Sequence, residues 1–565
     1  MSSRCALSFA LALSFALAPT VFAAENNSSI GKKLSAGPLS DYRGKSHSLT
    51  DYNDSKVVVL AFVGVECPLC KMYGPRLAEL AKEYAGKGVT FLGIDSNRQD
   101  SLTEMAAYAR LHGIEFPLLK DLNNAVADGV GAERTPEVIV LDKERIIRYR
   151  GRIDDQYGFQ SGTGYVRPKI SHRDLADAID ELLADKPVTH PTTEIAGCLI
   201  GRVRPVKESS EVTYSDQIAR IFQNHCVECH RPGQIGPFTL TNYDEAAGWA
   251  PMIEEVVREQ RMPPWHANPH FGKFENDSSL TKEEKDLIYA WVANGAPEGD
   301  PKKLPEPRQF AGTHMMPCEP DVIIPMADEA FDVPAEGTVE YKYFRVDPGF
   351  KEDKWVKVAE CLPDNRAVVH HIIVFIKPPE GTAKGIEAFG HLTGYAPGTR
   401  PHMLPDGMAK FVPAGSELVF QLHYTPNGTP QKDRSSVAIK FEDPKNVKWR
   451  VATVGASNAA FEIPPHADAY PVESQQKFTG DIQLLSLFPH MHLRGKDFHY
   501  EAIYPDGTKE TLLDVPHYDF NWQNSFIFSD IKTLPKGTTL HCTAHFDNSE
   551  HNLANPDPEE TVRWG

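Results

Sequence analysis

The feature that most constrains this chain is a short run near its middle, Cys226-Val227-Glu228-Cys229-His230. Two cysteines at this spacing, followed directly by a histidine, form the attachment signature of a covalent c-type haem. Both thiols would bond to the haem, and His230 would lie under the iron as an axial ligand. A zinc half-site and a redox dithiol are the alternatives, but no second C-x-x-C pair follows at the usual distance for zinc. The run therefore predicts a haem site.

A second axial ligand is expected among the residues that follow the motif. Met262 lies after a loop rich in Gly and Pro, and a thioether is a common ligand in electron-carrying cytochromes. Its rivals are Met252, His266 and His270, and a loop methionine often serves packing alone. We expect Met262 to complete the iron coordination.

The flanks of the motif predict helices. Residues 215–224 carry apolar side chains on one helical face, and residues 281–294 open with a Thr-x-x-Glu capping box. A helix that leads into the haem motif and a later helix packed across it resemble the cytochrome c fold. The resemblance implies a small all-α haem domain over residues 210–300.

Length and charge bound the remaining possibilities. At 565 residues the chain is too long for one core, which predicts about three to four domains. The net charge of -18 argues against nucleic acid or an anionic membrane surface as a partner. An acidic surface is compatible with a basic redox partner protein.

The first residues predict the compartment. Arg4 precedes an apolar run from Ala6 to Ala18, and the small residue Ala23 ends the segment, so residues 1–23 are interpreted as a signal peptide. The run is too short to span a bilayer securely, and no later stretch approaches a membrane span. We therefore expect an exported protein, periplasmic or extracellular, where covalent haem and disulfides persist.

A second pair of cysteines lies nearer the N-terminus. The apolar run 56–63 predicts a buried parallel strand, and it leads into Cys67-Pro68-Leu69-Cys70 and then a predicted helix over 75–84. A helix N-terminus stabilises a thiolate, which suits a reactive first cysteine. Further strands are predicted at 89–94 and 137–141.

Residues 24–186 resemble the thioredoxin fold of redoxin and peroxiredoxin-like proteins. In that family the proline that Pro136 matches is cis and faces the dithiol, which implies catalytic roles for Cys67, Cys70 and Pro136. Glu66 stands where thioredoxins carry an aromatic residue, and a nearby carboxylate disfavours a thiolate. Gly64 stands where peroxiredoxins place a hydroxyl, so thiol-disulfide exchange or redox sensing is favoured over peroxidase activity. A static disulfide is the alternative.

A linker is predicted over residues 187–209, and it carries Cys198. This cysteine has no obvious mate in the sequence. Pairing with another module and resolution of the dithiol both stay open.

The second half of the chain has a different pattern. Prolines cluster in a linker at 301–320, after which short β-branched and aromatic runs alternate with turn residues. This spacing predicts two all-β, antiparallel sandwich domains, jelly-roll-like, over 321–445 and 446–565.

Histidines follow the strand-like runs of this half. His490 and His492 are two apart, so on a strand both imidazoles project from one face and converge on one ion. His423 ends another run. His370 and His371 are neighbours, which share a metal only if the strand bulges there. Imidazole-rich sites favour copper or zinc.

The segments 368–374, 420–424 and 489–496, which carry these histidines, resemble the ligand segments of copper type II, ascorbate-dependent monooxygenases. This group includes peptidylglycine hydroxylating and dopamine β-monooxygenases. Two β-sandwich domains in that family each hold one copper across a cleft. The resemblance implies an electron-accepting copper at His370, His371 and His423, and an oxygen-activating copper at His490 and His492. It implies up to two copper ions.

The C-terminal segment departs from that family. The oxygen-activating copper takes a methionine ligand there, downstream of the cysteine that Cys542 resembles, and no methionine follows Met491 here. A truncated chain or an incomplete second site is expected, with His545 and His551 as conceivable substitutes. A sandwich that ends at residues 562–564 would expose an unpaired strand edge.

Two other cysteines, Cys318 and Cys361, both fall in the first sandwich. We expect them to form a stapling disulfide. Cys542 would then lack a mate.

Together these patterns predict a multidomain, exported oxidoreductase with an α/β thioredoxin-like domain, a haem domain and two sandwiches. The haem would relay electrons to copper, with an external electron donor or redox partner protein and a small-molecule or peptide substrate plus oxygen. The alternatives are a non-catalytic copper-binding, electron-transfer or thiol-redox protein, and an assembly factor that reduces exported proteins.

Overall fold

The computed structural model describes most of the chain, namely residues 29–160, 163–202, 204–207, 209–310, 314–335, 339–381, 390–397, 399–426 and 429–564. The predicted signal peptide, residues 1–23, lies outside these ranges. Among the helices so described, none is both long and apolar enough to cross a membrane.

The N-terminal part is an α/β domain built on one mixed sheet. Its strands are β1 (Leu39–Asp41), β2 (Ser46–His47), β3 (Val57–Phe62), β4 (Val89–Asp95), β5 (Leu118–Lys120), β6 (Arg134–Thr135), β7 (Glu137–Leu141), β8 (Ile147–Gly151), β9 (Tyr157–Gln160), β10 (Thr163–Val166) and β11 (Cys198–Leu199). Its helices are α1 (Pro68–Glu83), α2 (Leu102–Leu111), α3 (Ala125–Val130) and α4 (Asp174–Leu183).

Seven of these strands form the central sheet in the order β2-β1-β5-β4-β3-β7-β8. β3 runs parallel to β4 and antiparallel to β7, and all six of its residues are buried, as its continuous apolar sequence predicts. Helix α1 begins at Pro68, earlier than predicted, because proline suits the first helical turn; Pro75 lies inside the helix.

A helical segment follows. A single π-helical turn, Tyr214–Ile218, precedes α5 (Ala219–His225), and the other helices are α6 (Tyr243–Arg258) and α7 (Lys282–Ala293). Thr281 caps α7 with Glu284 in the predicted capping box. Phe222 and Trp291 pack edge to face in a core that continues into the α/β domain.

The first sandwich packs a five-stranded sheet, β12-β21-β15-β18-β22, on a four-stranded sheet, β14-β19-β16-β17, around one core. The strands are β12 (Val322–Pro325), β13 (Phe331–Val333), β14 (Lys342–Val346), β15 (Lys354–Leu362), β16 (Val369–Lys377), β17 (Gly390–Tyr395), β18 (Met408–Val412), β19 (Glu417–Tyr424), β20 (Gln431–Asp433), β21 (Ser436–Phe441) and β22 (Trp449–Val451). Since β22 joins this sheet in parallel to β18, the first sandwich extends beyond the predicted boundary at residue 445.

The second sandwich packs the sheet β24-β29-β26-β27 against the pair β25-β28. Its strands are β23 (Glu462–Ile463), β24 (Tyr470–Lys477), β25 (Ile482–Leu487), β26 (Gly495–Ile503), β27 (Lys509–Val515), β28 (Phe526–Leu534), β29 (Thr539–Phe546) and β30 (Val562–Arg563). β30 pairs with β23 in a two-stranded ribbon, so one of its two edges is paired and the other has no neighbouring strand among the described residues.

The predicted disulfide between Cys318 and Cys361 is wrong. Both are free thiols, and they lie on opposite faces of the sheet that contains β15. Cys361 faces the sandwich core, whereas Cys318 packs beside Val358 and Leu362 on the other face. A bond between the two sulfurs would have to pass through the sheet.

Candidate functional site

The dithiol lies where β3 leads into α1. Cys67 occupies the N-cap position of α1, and Cys70 lies in the first turn. Both side chains are fully buried. The peptide bond between Thr135 and Pro136 is cis, as the family resemblance implies, and the Cys67 sulfur lies 3.1 Å from the carbonyl oxygen of Thr135. Cys67, Cys70 and Pro136 are therefore brought together.

The pKa values of the two thiols are shifted in opposite directions. Burial raises the pKa of Cys67, but hydrogen bonds from Cys198 and Cys70 outweigh it and hold that pKa well below its ordinary value. Burial, together with the neighbouring Cys67, holds the pKa of Cys70 well above its ordinary value. This difference favours Cys67 as the nucleophile, a role that stays a prediction. The expected opposition from Glu66 is not a leading influence, and the Glu66 carboxylate pairs with Lys71 Nζ at 2.7 Å.

The packing around Gly64 accounts for the glycine at a position where peroxiredoxins place a hydroxyl residue. Its backbone N–H donates to Cys70 Sγ at 3.3 Å. A Cβ at this position would lie 2.4 Å from Asn97 Nδ2 and 3.2 Å from Thr135 Oγ1. The close packing around the dithiol therefore leaves no room for a hydroxyl residue.

The haem motif forms a tight turn after α5. His230 is buried, and its Nδ1 lies 3.0 Å from the carbonyl oxygen of Phe238. That contact fixes the proton on Nδ1 and leaves the Nε2 lone pair available to a metal. A Cβ at Gly236 would lie 2.6 Å from the carbonyl oxygen of Cys229, so the turn closes tightly on the motif. Cys226, Cys229 and His230 therefore fit a covalent haem.

The candidates for the second axial ligand are separated by the structure. Met252 is buried in α6, and its sulfur accepts a hydrogen bond from the Leu199 N–H at 3.4 Å. Met262 follows α6 directly, at a cis Met262–Pro263 bond. His266 is buried enough to lower its pKa to about 4, with His517 adding to the effect. Coordination by Met262 stays a prediction.

Three imidazoles of the first sandwich converge. The ligand atoms of His370, His371 and His423 all lie within 4.8 Å of one another. The register of β16 against β19 shifts between Val369 and His371, which is the bulge that two neighbouring histidines need in order to face one ion.

The nitrogens of this cluster suit a metal. His370 Nδ1 and His371 Nδ1 are 3.3 Å apart, and His423 Nδ1 is buried without a hydrogen-bond partner among the described residues. Burial, then neighbouring histidines, lowers the pKa of His370 to about 4 and that of His371 to about 2, so both rings are neutral ligands at neutral pH. The aromatic ring of Tyr341 lies against His371 and His423.

The second pair of histidines lies next to these three. His490 and His492 follow β25 in a loop, not in the predicted strand, yet their ring centroids are 5.2 Å apart. His490 Nδ1 lies 2.6 Å from Gln523 Oε1, which leaves Nε2 free for a metal. His492 is close enough to lower the pKa of His370, and the Phe520 ring contacts both.

One conceivable substitute for the missing methionine, His545, has another partner. Its Nδ1 lies 2.6 Å from Asp497 Oδ1 on the neighbouring strand β26. His551 is exposed, and its backbone carbonyl accepts a hydrogen bond from Gln160 of the α/β domain. Met491 is buried beside Tyr518. A third protein ligand beside His490 and His492 is not identified among the described residues.

Comparison with known proteins covers the first quarter of the chain. The AhpC/TSA family matches residues 30–150. The N-terminal domain is thioredoxin-like. The thiol-disulfide oxidoreductase ResA of Geobacillus thermodenitrificans is 29% identical over 132 residues, which cover 23% of this chain and 74% of ResA. The thiol:disulfide interchange protein DsbE of Pseudomonas aeruginosa is 26% identical over 159 residues, covering 28% and 79%.

One solved structure, of a hypothetical protein from Sinorhizobium meliloti, is 29% identical and covers 31% of this chain and 96% of that chain, with a TM-score of 0.28. The family match and the two curated relatives all fall on the thioredoxin-like domain that carries the buried dithiol.

Several residues at these sites escaped the sequence patterns. Cys198 lies beside the dithiol of the thioredoxin-like domain, although 131 residues separate it from Cys67. Phe520 and Gln523 lie in an irregular loop with no periodicity to mark them. The sequence signal that pointed to Cys198 was a cysteine without an obvious mate in a chain that also contains a dithiol.

Proposed function

We propose that this chain is an exported oxidoreductase. Cys226, Cys229 and His230 would hold a covalent haem that supplies electrons, and histidines of the sandwiches would hold copper. Bound copper would supply the oxygen chemistry needed to hydroxylate a small-molecule or peptide substrate. The convergence of His370, His371 and His423 within 4.8 Å carries the proposal. Chance rarely leaves three neutral imidazoles, one buried and two partly buried, facing one another, because each ring nitrogen loses hydrogen bonds to water there.

The chain's own residues prepare these imidazoles for a metal. The bulge in β16 turns His370 and His371 toward His423, and Tyr341 packs against two of the three rings. Gln523 orients His490 by its hydrogen bond to Nδ1. Such outer contacts fix ring orientation before a metal arrives.

The haem motif is tied to the first sandwich by charge. Glu228, inside the motif, lies 2.7 Å from Arg400 Nη2 and 3.7 Å from Arg308 Nη1. A second contact joins His402 Nε2 to a Glu275 carboxylate oxygen at 3.5 Å, where burial lowers the pKa of His402. These contacts support a relay, because tethering holds donor and acceptor at millimolar or higher effective concentration.

The thioredoxin-like domain adds thiol-disulfide exchange with an exported redox partner protein. The proposal requires an external electron donor for the haem and a redox partner protein for the dithiol. Copper storage without catalysis is a second candidate, and one observation favours it: among the described residues, no third protein ligand is identified beside His490 and His492.

Copper analysis of the purified protein tests the proposal. We expect two copper ions per chain in wild type and a loss of one in His423→Ala. The exposed His466, which pairs with Glu550 and Glu559, gives the matched control His466→Ala with unchanged copper content. The catalytic proposal is contradicted if wild type binds no copper specifically, or binds one ion that His423→Ala retains. If wild type binds one ion and His423→Ala binds none, the result supports storage or electron transfer.

A further inference from the structure

A strand from the segment between two domains lies on the dithiol. β11 pairs antiparallel with β6, and Cys198 stands opposite Thr135, the residue before the cis proline. The N–H of Ile200 extends the pairing by donating to the carbonyl of Glu133 at 2.9 Å. This segment was predicted to be a linker, but it is an ordered added strand at the catalytic edge of the thioredoxin-like domain.

β11 packs closely against the cis-proline loop. A Cβ at Gly197, whose φ is +154°, would lie 2.2 Å from the carbonyl oxygen of Thr135. Arg134 Nη1 donates to the carbonyl of Gly197 at 2.8 Å, and the same guanidinium pairs with Glu255 of α6 at 2.7 Å. The strand is therefore held between the cis-proline loop and helix α6.

Cys198 brings a third thiol to the pair. Its S–H donates to the Cys67 sulfur, which raises the pKa of Cys198 and lowers that of Cys67. All three thiols are free, and their side chains are at most 5% exposed. Cys67 is fully buried while β11 is docked, whereas Cys198 lies opposite Thr135, within hydrogen-bonding reach of Cys67.

We propose that Cys198 is a third redox-active thiol and that β11 is an internal substrate strand of the dithiol. The inference rests on the thiol-disulfide exchange of the proposed function. The Cys198 thiolate attacks Cys67 in an oxidised Cys67–Cys70 pair, forming a Cys67–Cys198 disulfide as the Cys67–Cys70 bond breaks. Cys70 leaves as a thiolate and takes up the proton that Cys198 lost.

Two cysteines are oxidised before and after this step, so it consumes no oxidant or reductant. The initial Cys67–Cys70 disulfide arises when β11 is displaced and the exposed dithiol reduces an external disulfide. The hydrogen bond with Cys67, then burial, raises the pKa of Cys198, and the cations Arg261 and Arg134 oppose this rise. The Cys67 contribution is lost once Cys67 is in a disulfide, which lessens the rise. The exchange locks β11 over the dithiol, so the oxidised domain is closed to further substrate until Cys70 attacks Cys67 again.

Disulfide mapping of the full-length protein tests this step. The protein is equilibrated in glutathione redox buffers, quenched in acid, alkylated and digested with trypsin. Cys67 and Cys70 share the peptide 57–71, and Cys198 lies in the peptide 174–202. In Cys70→Ser we expect these two peptides to be joined in nearly every chain, and in wild type they are joined in a fraction that grows with the oxidised-to-reduced ratio. Cys361→Ser, which removes a buried cysteine elsewhere, is the control and maps like wild type.

Two results of the disulfide mapping would overturn the role of Cys198. If Cys67 of Cys70→Ser carries glutathione while Cys198 is alkylated, and wild type shows only the disulfide within 57–71, the internal acceptor is overturned and thiol exchange stands. If wild type forms neither disulfide in any buffer, thiol exchange itself fails, and this inference fails with it. Should Cys70→Ser not fold, the wild-type map and its comparison with Cys198→Ser decide between the same results.

Discussion

At the scale of single residues, close packing surrounds the dithiol of the thioredoxin-like domain. Gly64 donates to Cys70 from a position where any side chain would meet Asn97. The thiolate of Cys67 is stabilised by Cys198 and Cys70. The preference for thiol exchange over peroxide chemistry stays a prediction.

Introducing the peroxiredoxin hydroxyl should therefore be costly. We expect Gly64→Ser to lower the free energy of unfolding by about 1–3 kcal/mol, because its Cβ overpacks the site. Chemical denaturation of the reduced protein measures the change. Gly37→Ser is the control, since its Cβ would meet no atom within 4 Å. Equal stabilities for the two variants would show that the packing at Gly64 is not tight.

The acidity of Cys67 makes a pH-dependent prediction. Its folded pKa is depressed, so thiolate absorbance near the ultraviolet edge should develop well below pH 9 in reduced wild type and be absent from Cys67→Ser. The linked stability is fully present above the unfolded pKa of about 8.5 and is lost as pH falls toward the folded value. A titration midpoint at or above pH 8.5 contradicts the assignment.

Much of the site could be predicted at this scale, and the limits have physical causes. The dithiol, the haem motif and the histidine pairs are local patterns. The strand bulge at His370 followed from the need of two neighbours to share a face, and the structure has it. The contact of Cys198 with Cys67 is non-local, and the sheet that creates it is not encoded in spacing.

At the scale of elements, two segments outside the regular domains join those domains. β11 docks on the cis-proline loop, and the loop after α6 enters the core of the second sandwich. In that loop Trp265 and Phe274 pack on Phe526, and Phe274 forms a bridge to Phe528. Long strands such as β3 and β19 were predictable from their apolar runs, but segments rich in Pro and Gly carry no period to show where they dock.

The docking of β11 has a direct test. We expect Gly197→Ala to displace the strand, because its Cβ would collide with the Thr135 carbonyl, and to raise the alkylation rate of Cys67 in the reduced protein by about tenfold or more. Peptide mapping after timed alkylation measures that rate. Gly129→Ala, whose Cβ would make only an ordinary contact with Leu34, should leave it unchanged. No acceleration in Gly197→Ala would mean that β11 does not cover the dithiol.

The loop after α6 is expected to stabilise the second sandwich. Trp265→Ala removes an indole packed on Phe526 and Phe274, which should cost about 3 kcal/mol of unfolding free energy. The exposed Trp449 provides the control, and Trp449→Ala should change stability by less than about 1 kcal/mol. Denaturation followed by circular dichroism checks both, and equal effects would place Trp265 outside the core.

At the scale of the whole molecule, the domains form one connected structure. The hairpin β9–β10 reaches the second sandwich, where Asn521 donates to the Gly164 carbonyl at 3.3 Å and Leu553 donates to Gln160 at 2.7 Å. Glu228 joins the haem motif to the first sandwich. The sequence predicted the series of domains, but these interfaces depend on side chains far apart in the chain.

Reoxidation of the haem in a chain that carries a single reducing electron tests the proposed relay most directly. The haem of copper-loaded protein is photoreduced without oxygen and followed by its visible spectrum. The proposal predicts fast haem reoxidation in wild type and in His466→Ala, and a haem that stays reduced in His423→Ala and in copper-free protein. Reoxidation at one rate in all four samples would contradict electron transfer to the histidine cluster.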